Sequence, residues 1–157
     1  MKIKGIITED FVNYKKVSMT IIFPYCTFKC GTEYCQNSSL AKEKEFDLDI
    51  KNIVYRYLKN PIPEAIVMQG LEPFDSWNDL YELIKMIRES TSDDIIIYTG
   101  YYENEIEDYL KELKQYPNII VKFGRYIPNQ KPHFDEVLGV ELASDNQYAK
   151  VISKETT

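Results

Sequence analysis

Four short apolar runs, TIIF at 20–23, AIVM at 65–68, IIIY at 95–98 and IIV at 119–121, recur along this chain with helical patterns between them. A strand that is apolar at every position is buried on both faces. That requires a mostly parallel sheet covered by helices. The intervening segments supply them. In DLDIKNIVYRYLKNP, Ile50, Ile53, Val54, Tyr57 and Leu58 share one helical stripe, Asp47 or Asp49 caps the start, and Pro61 stops it. DSWNDLYELIKMIRES is a second amphipathic helix, with Ser76 and Asp79 spaced as a capping box, and NEIEDYLKELKQ is a third. A Pro- and Gly-containing segment over 124–146 leads to QYAKVIS, a last edge strand. Right-handed crossovers turn this rhythm into an open α/β sheet or part of a barrel, and the units are too few for eight strands. The 157 residues suffice for one core, with no repeat or boundary, so residues 1–157 read as a single domain.

Charge and composition exclude several classes. The formal net charge of −6, without a Lys/Arg cluster, argues against non-specific nucleic-acid binding. No run approaches the roughly 18 apolar residues of a membrane span, and the N-terminal MKIKGIITED does not read as a signal peptide. A cytoplasmic location, with no membrane partner, is expected. A single histidine leaves no multi-His metal site.

All three cysteines, Cys26, Cys30 and Cys35, fall inside YCTFKCGTEYC, just after the first apolar run. An odd, clustered count does not make a disulfide scaffold. Zinc needs a fourth ligand, such as the distant His133, or an open catalytic position. A [4Fe–4S] cluster on three thiolates leaves one iron free for an exogenous ligand, and gives the better account. Residues beyond the other strands gather at the same expected sheet edge: Gly70 and Glu72, Thr99 and Gly100, and Gly124. Beyond the carboxyl ends of parallel strands is where α/β folds bind ligands.

The cysteine pattern resembles that of the radical S-adenosylmethionine (SAM) family, whose usual spacing is C-x3-C-x2-C; here it is C-x3-C-x4-C. The QGLEPF stretch resembles the family's G-G-E-P motif, with Leu71 in place of the second glycine. Within the family, YTGY at 98–101, FGRYIP at 123–128, SDNQ at 144–147 and CQN at 35–37 resemble the activating subunits of anaerobic ribonucleotide reductases, over nearly the whole chain. Lys122 and Phe123 stand where those relatives often carry an acidic residue before the glycine.

The resemblance implies an incomplete (β/α) barrel of mostly parallel strands and two cofactors, a [4Fe–4S] cluster and SAM. It makes Cys26, Cys30 and Cys35 the cluster ligands. Tyr34 contacts the adenine through its backbone, Gly70 and Glu72 bind the methionine end of SAM, and Thr99 and Gly100 line the ribose region. Asn146 and Gln147 serve the far end of that pocket, while Arg125 and Tyr126 face a partner. Lys29 reads as a solvated loop charge and His133 as surface or structural. The implied reaction is reductive cleavage of SAM to a 5′-deoxyadenosyl radical that takes a hydrogen from a glycine, without a conventional side-chain catalyst. The implied partners are the large subunit of anaerobic ribonucleotide reductase, through its glycine-bearing C-terminal loop, and a flavodoxin- or ferredoxin-type reductant. Alternatives are another small radical SAM enzyme, such as a different glycyl-radical activase or a deazapurine synthase, and a non-catalytic iron–sulfur electron carrier or binding module.

Overall fold

The computed structural model describes residues 1–25 and 44–153. Strands β1 (Lys2–Ile3) and β2 (Gly5–Asp10) lead into β3 (Ser18–Phe23), and β4 (Phe46–Asp47) and helix α1 (Ile50–Lys59) precede β5 (Ala65–Gly70). Helix α2 (Trp77–Ser90) precedes β6 (Asp94–Tyr98), and α3 (Glu107–Leu113) precedes β7 (Ile119–Phe123). The hairpin strands β8 (His133–Asp135) and β9 (Val140–Leu142) come before the closing β10 (Tyr148–Val151).

The main sheet has the order β10-β7-β6-β5-β3-β2. The four apolar runs of the sequence are its centre: β3, β5, β6 and β7 are mutually parallel. The edge strands β10 and β2 pair antiparallel to them. This is a mixed α/β fold built on a sheet of mostly parallel strands. The parallel strands are neighbours in chain order, without the reversal that puts helices on both faces. Accordingly α1, α2 and α3 all contribute to one core with a single face of the sheet. That core joins Met19, Ile21 and Phe23 of β3 and Ile66 and Met68 of β5 to Ile53, Leu83, Ile84 and Leu113 of the helices. Each such side chain, fully buried, stabilises the fold by about 1.5–3 kcal/mol.

Alternate residues turn to the opposite face, because side chains alternate along a strand. Ala65, Val67, Ile96 and Ile120 pack there beneath Tyr14, Leu138 and Leu142. The cover comes from the turn after β2 and from the β8–β9 hairpin. The hairpin lies within the Pro- and Gly-containing segment 124–146, for which the sequence named no strand; its arms of three residues are too short to show a period.

Local chemistry decides the helix starts. Asp49, rather than Asp47, caps α1, its carboxylate accepting the Lys51 amide at 3.0 Å. Ile53, Val54 and Tyr57 are buried as expected, but Leu58 is 49% exposed. It sits about 100° around the helix from Tyr57, at the margin of the stripe. The expected Ser76–Asp79 capping box does not form. A 3₁₀ turn, Pro73–Ser76, runs directly into α2, and Glu72 caps that turn by accepting the Phe74 amide. The start has moved upstream, and among the described residues the Ser76 hydroxyl has no hydrogen-bond partner. The third helical segment is likewise divided, into a 3₁₀ turn at Glu103–Glu105 followed by α3. Among the described residues no helix is long and apolar enough to cross a membrane.

Candidate functional site

Parallel β3, β5, β6 and β7 end at one edge of the sheet, so the segments following them are neighbours. The extension of β3 through Pro24 and Tyr25 runs toward the cysteine segment. Cys26, Cys30 and Cys35, with Lys29 and Tyr34, lie outside the described residues.

Gly70 ends β5 opposite Phe23 of β3. Its φ of +109° lies in the region that suits glycine, and a Cβ there would stand 2.5 Å from the Phe23 amide nitrogen and 2.7 Å from its carbonyl oxygen. The Leu71 amide donates to that same Phe23 carbonyl at 3.2 Å. The start of the GLEP turn is therefore pressed against the strand that delivers the cysteines. Only a residue without a side chain permits this approach.

Glu72 points inward and is fully buried. The Thr99 hydroxyl donates to its Oε2 at 2.8 Å, the Gly100 amide to Oε1 at 2.8 Å, and the Phe74 amide to Oε2 at 3.1 Å. One carboxyl group thus ties the turn after β5 to the turn after β6. Burial pushes it up to about 7, against the lowering effect of the Gly100 and Phe74 amides and the Thr99 hydroxyl. In this arrangement Glu72, Thr99 and Gly100 hold one another. Chain atoms of Gly70 and Leu71 make the contact with β3.

The stitching continues across the edge. The Tyr101 hydroxyl donates to Asp75 at 2.6 Å, and the Gly124 amide after β7 donates to the Tyr101 carbonyl at 3.1 Å. Asn146 donates from Nδ2 to the Tyr102 hydroxyl at 2.7 Å and to the Arg125 carbonyl at 2.6 Å. Gln147 is buried; its Oε1 accepts the Ala143 and Ser144 amides, and its Nε2 donates to the Gly124 carbonyl at 3.2 Å. The residues singled out from the sequence form two groups. Gly70, Glu72, Thr99 and Gly100 meet at the ends of β5 and β6; Asn146 and Gln147 meet at Gly124 beyond β7. Arg125 pairs with Glu105 at 2.8 Å and lies over the Tyr102 ring, and Tyr126 is half-buried. His133 is on β8, with no hydrogen-bond partner for its buried Nδ1 among the described residues.

Two features escaped the sequence reading. A stack of Phe74, Trp77 and Tyr109, with Trp77 and Tyr109 centroids 4.3 Å apart, clamps the turn after Glu72 against α3. Lys122, inside the apolar strand β7, is buried with its ammonium. The available signal is a charged residue in an otherwise apolar strand.

Among the described residues no group of three or more His, Cys, Asp or Glu side chains could hold a metal ion. A family model described as a 4Fe-4S single cluster domain matches residues 14–147. Neither the curated proteins nor the solved structures hold a match to the chain.

Proposed function

We propose a function from the premise that this chain belongs to the 4Fe-4S single cluster domain family and is an iron–sulfur binding domain. It is a cytoplasmic radical SAM activase that generates a glycyl radical on anaerobic ribonucleotide reductase, and its sheet is the incomplete barrel of that enzyme class. The observation that carries this reading is the Gly70–Glu72 turn. It abuts the strand entering the cysteine segment and is tied by a buried carboxyl group to Thr99 and Gly100.

The residues fit such a group. Cys26, Cys30 and Cys35, in the segment that follows β3, would hold the cluster, since thiolates are the ligands iron–sulfur clusters take. Three thiolates for four irons leave one iron for a substrate. Bound there, the cluster supplies the electron that cleaves a carbon–sulfur bond of SAM, giving methionine and a 5′-deoxyadenosyl radical. The chain supplies position. Glu72 fixes the turn that begins at Gly70 and Leu71, and backbone oxygens of that turn are the acceptors that an amino group requires. Thr99 and Gly100, locked by the same carboxyl, border the ribose, and Tyr34 meets the adenine through its backbone. Asn146 and Gln147 hold the loop closing the far end, and Arg125 and Tyr126 lie toward the partner. The glycine-bearing C-terminal loop of the reductase large subunit approaches the sheet edge where β3, β5, β6 and β7 end, and a flavodoxin- or ferredoxin-type protein delivers the electron.

Anaerobic reconstitution with iron and sulfide, followed by dithionite and SAM, tests the reading. Cleavage of SAM is expected, together with a glycyl doublet in electron paramagnetic resonance only when the anaerobic reductase is added. Cleavage without that doublet assigns the chain to another small radical SAM enzyme. Iron uptake without cleavage leaves a non-catalytic electron carrier, and zinc alone refutes the proposal.

A further inference from the structure

Lys122 lies on the face of β7 turned away from the helices, with Tyr98 as its partner across β6 and Ala149 across β10. It retains only 7% of its exposure. Its ammonium donates to the Gly124 carbonyl at 3.1 Å and stands 5.7 Å from the centre of the Tyr98 ring. Among the described residues no carboxylate is paired with it. Burying a charge without a countercharge is costly. An ammonium also has three hydrogens to place, and the Gly124 carbonyl, which also accepts from Gln147, satisfies one of them.

Beside the ammonium is a cavity of about 170 Å³, lined by Asn13, Tyr98, Lys122, Leu142, Ala143 and Gln147. Its polar walls have spare donors. Gln147 spends one amide hydrogen on Gly124 and Asn13 one on the Asp10 carboxylate, and among the described residues the second of each has no partner. The Tyr98 hydroxyl donates to the Asn13 backbone carbonyl, so its hydrogen is not offered to the cavity. The walls therefore offer the second amide hydrogens of Gln147 and Asn13 beside one positive charge, with Leu142 and Val140 supplying apolar surface. This is the inverse of an acid-bearing ligand.

The surroundings limit the ligand's charge. Glu72 acts on Lys122 through its own charge, Asp10 and Asp135 act on Tyr98, and Glu141 is part of the cavity wall. A single negative charge balances Lys122, whereas a second would add to this acidic field. The volume sets the size. A cavity of roughly 150 Å³ accepts benzene, so this one suits about six non-hydrogen atoms. We propose that this cavity is a binding site for a small monocarboxylate, whose oxygens accept from Lys122, Gln147 and Asn13 while its short carbon chain rests on Leu142 and Val140. The site does not depend on the proposed SAM chemistry, and SAM cleavage can fail while carboxylate binding persists.

Isothermal titration of the full iron-loaded chain at pH 7, without reductant or SAM and at constant ionic strength, tests the proposal with sodium butyrate, butyramide and inorganic phosphate. Butyrate is expected to bind saturably and at least tenfold more tightly than either butyramide or phosphate. Lys122→Met is expected to weaken butyrate at least tenfold and to leave butyramide unchanged. Lys122→Gln carries the same comparison should the methionine variant fail to fold. Absence of saturable butyrate binding overturns the site. Equal affinity for butyramide overturns charge recognition, tighter phosphate binding overturns the monocarboxylate assignment, and undiminished butyrate binding by the variant overturns the role of Lys122.

Discussion

Glu72 has the burial of a core residue and the chemistry of an acid, and its titration is a consequence that stability can report. Its pKa is raised from 4.5 to about 7, chiefly by burial. Folded protein thus holds the proton more tightly than unfolded chain, and stability falls as pH rises from about 4.5 to about 7. The full span amounts to something on the order of 3 kcal/mol. Lys122 acts at the other end. Burial lowers it from 10.5 to about 8, so the folded form releases its proton first and stability climbs as pH rises between those values. In urea denaturation across this range, Glu72→Gln should flatten the acidic slope, and Lys122→Met should flatten the alkaline one. An unchanged acidic slope in Glu72→Gln would show that the carboxyl group is not buried in solution.

At the scale of elements, the helix starts separate residues with similar sequence credentials. Asp49 and Ser76 both occupy capping positions, yet only the Asp49 side chain accepts a helix amide. Asp49→Ala should therefore cost about 1 kcal/mol, the ordinary loss for a removed cap. Ser76→Ala should cost nothing measurable or stabilise slightly, because it deletes a buried hydroxyl with no partner among the described residues. Chemical denaturation of the two variants compares them directly; equal losses would place a working cap at Ser76. The difference arises at Glu72, which takes over the turn that the serine would otherwise have started. One residue thereby serves both the α2 entrance and the sheet-edge site.

Across the whole molecule, the helix-side core joins β3, β5, β6 and β7 to all three helices through residues outside the cysteine segment. A domain with such a core does not depend on metal for its fold, unlike a small metal-stabilised module. Stripping iron with a chelator should abolish the visible iron–sulfur absorbance while far-UV circular dichroism keeps its helix and strand signal. Collapse of that signal would mean that the cluster holds the fold. The alternation of buried strands and amphipathic helices was legible in the sequence because it depends on local period: apolar runs at 20–23, 65–68, 95–98 and 119–121 became the four parallel strands. The gathering of Gly70, Glu72, Thr99 and Gly100 at one edge followed from that alternation. Neighbouring residues alone could not specify which groups would bond there. The inward turn of Glu72 depends on donors 27 and 28 residues away, at Thr99 and Gly100. The enclosure of Lys122 depends on a hairpin whose short arms leave no periodic trace. Periodicity determined the layers; only the closing of distant segments over the sheet decided which polar groups lost their water, because desolvation is a property of the packed interior.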